Sequence, residues 1–232
     1  MATLYTHQAQ NIRKTWLLMT VFLMVVVGLG LLFSQVYGDP TILYFFVIFA
    51  IVMNITSYWF SDKIVVSLAG AKPADPKNDI ELIRIVENLA ITAGLPMPKV
   101  YIVQDSAPNA FATGRDPKHS VVAVTTGLMS ILDRSELEGV IAHELAHIGN
   151  RDMLVSTVAV VLVGFISIIS DVFLRMGMWG SGSRDNDNKG GNILMIVAIV
   201  AAMLAPIAGM LLQLGISRRR EYLADASGAL LT

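Results

Sequence analysis

The residues His143-Glu144-Leu145-Ala146-His147 form an H-E-x-x-H pattern, which carries most of the chemical information in the chain. Residues at positions i and i+4 of an α-helix lie on one face, a turn apart, so the two imidazoles can bind a single metal ion. Glu144 lies beside them and can take a proton from water that the metal activates. So short a pattern also arises by chance on amphipathic helices, and alone it leaves both interpretations open.

The sequence around the pattern predicts the helix that it needs. Asp133 and Glu136 have the spacing of a capping box, with Asp in place of Ser or Thr, and Gly149-Asn150 is a stop signal. The apolar residues between them recur at helical spacing and form one stripe: Leu137, Val140, Ile141, Leu145 and Ile148. We therefore expect both histidines on a helix that begins after Asp133 and ends near Asn150.

A third ligand is needed, because a catalytic zinc usually has three ligands from the protein. The chain has four histidines and no cysteine. His7 lies in the N-terminal tail, and His119 is expected to be an exposed histidine in a turn. We therefore predict a carboxylate ligand, with Glu221 as the best candidate. Asp225, one turn further on the same face, can accept a hydrogen bond from the second nitrogen of a ligating histidine. The alternative is a solvated helix face beside three arginines.

The composition indicates a membrane protein. Apolar residues make up 54% of the chain, charged residues 15%, and the mean hydropathy is +0.62, whereas a soluble domain has about 25% charged residues. Four segments are long and apolar enough to span about 30 Å of hydrocarbon: residues 16–33, 41–60, 153–174 and 193–216. The first is too long for the apolar part of a signal peptide and lacks a small-residue cleavage site. The net charge of −1 gives no indication of nucleic-acid binding.

The positions of lysine and arginine predict the orientation of these spans. On one side the flanks are basic: Arg13, Lys14, Lys63, Lys72, Lys77, Arg151, Arg218, Arg219 and Arg220. On the other side the first loop has no basic residue, and the second, at 175–192, balances its basic residues with Asp185 and Asp187. We therefore expect both termini and residues 61–152 in the cytoplasm, and an external loop at 175–192.

Residues 61–152 have the pattern of a soluble α+β unit. A helix is predicted to begin at Asp75-Pro76 and to end before Gly94, and strands are predicted at 99–103, 109–114 and 120–125. The helix that carries His143 and His147, here called the metal helix, follows them. The predicted fold is thus an α+β membrane protein, with four transmembrane helices and a cytoplasmic metallopeptidase domain that contains a small sheet. Its parts are an N-terminal hairpin, this insert, a second pair of spans and a third-ligand helix: residues 1–60, 61–152, 153–216 and 217–232.

The strand at 109–114 is rich in small residues and could leave one edge open to an extended peptide. Strand addition binds main chain with little regard for side chains, which suits a protease. The candidate substrate-binding residues are therefore Asn109, Ala110, Phe111, Ala112 and Thr113. A plain hairpin strand is the alternative.

With these residues in view, the chain resembles the HtpX-type membrane zinc metalloproteases, which are relatives of the prenyl-protein endopeptidases. The resemblance covers nearly the whole chain and rests on residues 109–114, 143–147 and 217–225. It implies a zinc-dependent endopeptidase of the inner membrane that cleaves damaged or misassembled membrane proteins on the cytoplasmic side, with the 109–114 strand along its cleft. Such proteases usually continue for several dozen residues past this point, so a chain that ends at Thr232 is expected to be a short form.

The expected mechanism uses one Zn²⁺, held by His143, His147 and Glu221, with Glu144 as the general base and Asp225 orienting one of the histidines. The expected partners are unfolded membrane proteins, the lipid bilayer and other quality-control proteases, and no nucleic acid. The alternatives are a narrow processing peptidase for tethered substrates, a scaffold with a structural zinc site, and a transporter. A structural site has no use for Glu144, and a transporter would need more charge inside its spans than Asp171 alone.

Overall fold

A long apolar hairpin, a small mixed sheet and a set of shorter helices make up the part of the chain that the computed structural model describes, which is residues 4–180, Gly209 and residues 218–231. The helices are α1 Leu4–Tyr37, α2 Pro40–Trp59, α3 Ser61–Leu68, α4 Ile80–Thr92, α5 Thr126–Ile131, α6 Arg134–Asn150, α7 Met153–Gly180 and α8 Arg218–Gly228. The strands are β1 Lys72–Pro73, β2 Lys99–Val103, β3 Ala110–Gly114 and β4 Ser120–Thr125.

Helices α1 and α2 form the hairpin. They are joined at Gly38, whose positive φ of 69° suits glycine, and at Asp39, whose side chain caps α2 by accepting a hydrogen bond from the N–H of Thr41 at 2.9 Å. Among the described residues, the segments Gln8–Gln35 and Pro40–Trp59 are the two that are each long and apolar enough to cross a bilayer. The first two predicted spans are therefore confirmed as helices of spanning length.

The second predicted pair of spans is only partly described. Helix α7 begins at Met153, as expected. Its segment Met153–Ile168 is long and apolar enough to cross a bilayer only if it is counted together with α6, which it meets at an angle of 88°. Residues 175–180, predicted as the start of the external loop, belong instead to α7, which continues to Gly180; methionines at 176 and 178 are good helix formers. The remainder of that loop and the fourth predicted span lie outside the described residues, apart from Gly209.

One face of α1 packs along α7. Leu18, Phe22 and Leu29 of α1 are at most 1% exposed and lie in one apolar cluster with the buried residues of α7 that include Val155, Val158 and Leu162. Because α7 follows the metal helix directly, this packing fixes the end of the metal helix relative to the membrane hairpin.

The sheet has the strand order β1-β2-β4-β3. β2 and β4 are parallel, and the two outer pairings are antiparallel. All residues of β4 are buried, and one face of the sheet packs with α4 and α6 in a second apolar cluster that includes Ile85, Val122 and Ile141. β3 pairs with β4 alone and is therefore an edge strand, with Ala112 opposite Val122.

The three strands predicted for residues 61–152 are present, but the first predicted helix begins later than expected. Asp75 accepts a hydrogen bond from the N–H of Lys77 at 3.1 Å, and Asp79 accepts one from the N–H of Asp75 at 2.7 Å. These bonds close a turn, so that α4 begins only at Ile80. The sequence analysis did not predict the short elements α3, β1 and α5.

Arg115 connects the sheet to the apolar hairpin formed by α1 and α2. Its guanidinium carbon lies 4.6 Å from the centre of the Trp59 ring, and its Nη1 donates to the Trp59 carbonyl at 3.3 Å. Trp59 is the last residue of α2 and Arg115 follows the last residue of β3. The edge strand therefore ends close to the apolar hairpin.

Candidate metal centre

Helix α6 begins with the predicted capping box. Asp133 accepts a hydrogen bond from the N–H of Glu136 at 2.9 Å, and the Glu136 carboxylate accepts one from the N–H of Asp133 at 2.9 Å. The apolar stripe of the helix is buried against α4 and the sheet, with Ile141 and Leu145 fully inaccessible. This burial turns the face that carries His143 and His147 toward β3 and α8.

Three predicted ligand atoms converge between α6 and α8. The Nε2 atoms of His143 and His147 are 3.1 Å apart, and Oε2 of Glu221 lies 3.5 Å from the first and 3.8 Å from the second. A tetrahedral zinc ion with bonds of about 2.0–2.1 Å separates its ligand atoms by roughly 3.3 Å. Among the described residues, these three side chains are the group of His and carboxylate residues whose donor atoms lie within 4.8 Å of one another.

The second nitrogen of each histidine faces a carboxylate. Nδ1 of His143 is 2.8 Å from Oδ1 of Asp225, and Nδ1 of His147 is 3.1 Å from Oδ1 of Asp152. Each carboxylate accepts the Nδ1–H, so both Nε2 atoms present lone pairs. Two nitrogen lone pairs 3.1 Å apart repel each other unless a cation or a proton lies between them. Two imidazoles and one carboxylate in this arrangement fit a zinc ion.

Asp152 is a residue of the site that the sequence analysis missed. Its side chain is 2% exposed, and its Oδ2 has no hydrogen-bond partner among the described residues. It reaches His147 because Arg151 adopts a left-handed conformation, with φ 55°, immediately after α6 ends. One sequence signal for it was available: Asp152 lies between the helix stop at Gly149-Asn150 and an apolar span, and a carboxylate buried there without a partner would be unfavourable.

Burial and neighbouring charges shift the pKa values of two groups of the site. Burial raises the pKa of the Glu144 carboxyl, although the charges of His147 and His143 and the N–H of Ala112 oppose it. Burial alone would lower the pKa of His147, but the hydrogen bond and the charge of Asp152 outweigh it, so the pKa of this imidazole is raised. Glu144 is thus a carboxyl that holds a proton more readily than an exposed glutamate.

The edge strand β3 lies against the face of α6 that carries Glu144. The backbone N–H of Ala112 donates to Oε2 of Glu144 at 2.8 Å. A pocket of about 250 Å³ opens here, lined by Ala110, Phe111, Ala112, His143, Glu144, His147, Asp152, Met153, Ser156 and Glu221. Met153 and Ser156 come from the first turn of α7 and had no signal in the sequence, because the 88° bend after α6 brings them there.

The pocket contains three of the five predicted substrate-binding residues. Asn109 pairs with β4 instead, through its N–H to the Thr125 hydroxyl at 2.9 Å and through its carbonyl, which accepts the N–H of Thr125 at 2.9 Å. Thr113 is buried and its hydroxyl is 3.0 Å from that of Thr157 on α7. Of the predicted residues, those that line the pocket are therefore Ala110, Phe111 and Ala112.

His119 does not join the cluster. It ends a 3-10 turn at Pro117–His119, with its side chain 49% exposed and its Nδ1 2.8 Å from Asp116. This agrees with the expectation of an exposed histidine in a turn.

The sequence matches Peptidase family M48 over residues 76–232. A protein of Caldanaerobacter subterraneus subsp. tengcongensis named Protease HtpX homolog is 45% identical over 231 residues, which are 98% of this chain and 77% of that protein. A Pyrococcus furiosus protein of the same name is 51% identical over 216 residues, or 93% of this chain and 72% of the relative. One from Tropheryma whipplei is 48% identical over 231 residues, or 99% and 77%.

Proposed function

The chain belongs to peptidase family M48, and from this premise we propose that it is a membrane-embedded zinc endopeptidase that cleaves misfolded or damaged membrane proteins on the cytoplasmic side. The observation that carries the proposal is the pair of Nε2 atoms 3.1 Å apart, each held in its ligating tautomer by a carboxylate and both facing Glu221. Relatives that are 45% and 51% identical over the aligned residues are named proteases, which agrees with it.

In the proposed mechanism His143, His147 and Glu221 hold the metal, and Glu144 moves the protons. A bound zinc ion supplies Lewis acidity, which polarises a carbonyl and acidifies water. Glu144 accepts the proton of the attacking water on a carboxylate oxygen and delivers it to the nitrogen of the leaving amine. The raised pKa of this carboxyl suits both steps, because a general base works best when its pKa is close to the working pH.

Asp225 and Asp152 orient the two histidines rather than touch the substrate. Each accepts the Nδ1–H of one imidazole, and this hydrogen bond keeps the lone pair of Nε2 directed at the metal position. Asp152 is buried, whereas Asp225 is 65% exposed. We expect Asp152 to hold its histidine more rigidly.

The position of the pocket supports a substrate near the bilayer. Met153 and Ser156, which line the pocket, lie in the first turn of α7, whose next turns pack on the apolar helix α1. Trp59, at the end of α2, contacts Arg115 beside the end of β3. We propose that a segment emerging from the membrane reaches this pocket in extended form and pairs with the free edge of β3.

The proposal is tested with the full chain purified in detergent. We expect about one zinc ion per chain, hydrolysis of unfolded casein that a chelator stops and added zinc restores, and no hydrolysis by the Glu144→Gln variant. A panel of folded proteins, unfolded proteins and single tethered peptides separates quality control from narrow processing. Zinc bound without hydrolysis of any substrate would contradict the enzymatic proposal and favour a structural site.

A further inference from the structure

The C-terminal end of the metal helix is capped by side chains from the distant helix α1. The last carbonyl groups of an α-helix have no partner within the helix. In α6, Nε2 of Gln8 donates to the Gly149 carbonyl at 2.8 Å, and Nδ2 of Asn11 donates to the Asn150 carbonyl at 3.4 Å. Gln8 and Asn11 belong to α1, about 140 positions away in sequence, so this cap exists only in the folded chain.

These bonds hold the turn that carries Asp152. The turn follows α6 through Arg151, a non-glycine residue with φ 55°, which is a conformation that side chains disfavour. Asn150 and Asp152 on either side are both 2% exposed. Nδ2 of Asn150 and Oδ2 of Asp152 have no hydrogen-bond partner among the described residues. The turn is held by the contact of Asp152 Oδ1 with His147 and by the backbone bond from Arg151 to the Ile148 carbonyl, and the donors from α1 add two further bonds at its start.

The same face of α1 continues into the apolar cluster that this helix forms with α7. Its inward residues follow one another at three- and four-residue spacing: Gln8, Asn11, Thr15, Leu18, Phe22 and Val26. Asn11 and Thr15 are buried, and the hydroxyl of Thr15 donates to the Asn11 carbonyl at 3.1 Å. Leu18, Phe22 and Val26 pack in the cluster that contains α7. One continuous helix thus contacts both the end of α6 and the start of α7.

We propose that Gln8 and Asn11 are positioning residues of the metal centre: by holding the carbonyls at the end of α6 they fix the turn that presents Asp152 to His147. The inference rests on the proposed metal site and extends it. It makes the N-terminal end of α1 part of the peptidase centre rather than only a membrane anchor. Gln8 has the shorter bond and is expected to contribute more.

The test compares Gln8→Met, which keeps the length of the side chain but has no donor, with Gln10→Met on an exposed position of the same helix. Zinc affinity is measured by competition with a chromophoric chelator, and the ligand geometry by the visible absorption of the Co²⁺-substituted chain. Losses at residues that orient a ligand are typically about 10–100-fold, so for a residue one step further away we expect about 3- to 10-fold weaker zinc binding. The cobalt bands should change in intensity as well.

A donor restored at this position should restore the site. Lysine side chains also bind the last carbonyls of helices, so Gln8→Lys should bind zinc within about twofold of the parent chain. Gln8→Asn, which is too short to reach, remains polar and serves if the methionine variant does not fold. Thermal unfolding without metal measures any general loss of stability. The cobalt spectrum shows whether the geometry of the metal centre has changed, so the two measurements together separate these effects.

Equal zinc affinity and identical cobalt spectra for Gln8→Met, or for Gln8→Asn in its place, and Gln10→Met would overturn the inference while leaving the proposed function intact. So would a failure of Gln8→Lys to recover what the methionine variant loses. A parent chain that takes up no metal would refute the metal site itself and this inference together. The positioning role is supported if Gln8→Met weakens zinc binding, Gln8→Lys restores it, and Gln10→Met leaves it unchanged.

Discussion

The backbone N–H of Ala112 donates a hydrogen bond to Oε2 of Glu144 at 2.8 Å, so the free edge of the sheet and the proposed general base are joined directly. A substrate strand that pairs fully with β3 needs this same N–H. Either Glu144 releases it when substrate binds, or the peptide pairs around it and uses the neighbouring donor at Ala110. In both cases the bond orients the base before substrate arrives.

The first prediction is that Glu144→Gln keeps zinc and fold but loses hydrolysis. The amide oxygen of glutamine can still accept the N–H of Ala112, whereas the amide cannot take a proton from water. Removal of a general base lowers the rate by roughly 10²–10⁴-fold. Zinc content, thermal stability and casein hydrolysis of the purified variant are compared with those of the parent. Turnover at the parent rate, in a preparation free of other proteases, would contradict the role of Glu144.

The second prediction ranks the two carboxylates of α8. Oε2 of Glu221 lies within 3.8 Å of both ligating nitrogens, whereas Asp225 contacts only Nδ1 of His143. Glu221→Ala should therefore weaken zinc binding more than Asp225→Ala, whose loss should be about 10–100-fold. Chelator competition on both variants in detergent measures the difference. The two roles are reversed if Asp225→Ala releases zinc more readily.

The third prediction concerns pH and Asp152. Because Asp152 raises the pKa of His147 in the folded chain, their pairing stabilises the metal-free protein below the unfolded pKa of histidine, about 6.5. This contribution is lost as the pH rises through the raised pKa of the folded imidazole. Thermal unfolding with excess chelator should show it, and Asp152→Asn should lack it. An unchanged pH dependence in Asp152→Asn would show that Asp152 does not set the protonation of His147.

The sequence predicted the parts of this site that depend on local pattern or on elimination. The capping box of Asp133 and Glu136 needs only neighbours three residues apart, and the lack of cysteines and of other suitable histidines predicts a carboxylate ligand, for which Glu221 was the best candidate. The sequence analysis missed Asp152, whose only signal was its position between a helix stop and an apolar span, and the cap from Gln8 had no local signal at all. Asp152 reaches the site through one left-handed residue, and the cap joins positions 141 residues apart. Such contacts depend on how α1 packs on α7, which periodicity does not reveal.

The fourth prediction is topological. Ser67 lies exposed on α3, in the segment that the basic flanks predict to be cytoplasmic, and Tyr37 lies exposed at the turn between α1 and α2. The chain has no cysteine, so Ser67→Cys and Tyr37→Cys each give a single thiol. A membrane-impermeant thiol reagent on intact cells should label position 37 and not position 67. Lysed cells provide the control in which both are labelled, and the opposite pattern in intact cells would invert the orientation. Ser183, in the second predicted external loop, lies outside the described residues and should behave as position 37 does.

The last prediction concerns the pairing of β3. Asn109 exchanges hydrogen bonds with Thr125 of β4, so by the period of two the N–H of Phe111 also faces β4. The N–H groups of Ala110 and Ala112 then face the free edge, as the bond from Ala112 to Glu144 shows. A proline at Ala112 would remove a substrate donor and a bond to the base together. Ala110→Pro is therefore the cleaner probe of strand addition, because it removes an edge donor and leaves Glu144 bound.

We expect Ala110→Pro to raise KM with zinc and thermal stability retained. The loss of one hydrogen bond is worth about 0.5–1.5 kcal/mol, which corresponds to roughly 2- to 13-fold in KM if kcat is unchanged. Ala110→Ser keeps the N–H and is the matched control. Phe111→Pro should instead lower the melting temperature, because it removes a bond within the sheet. Ala112→Pro should lower kcat as well as raise KM, because Glu144 loses its donor. If Ala110→Pro and Ala110→Ser have the same kinetics, substrate does not pair with this edge.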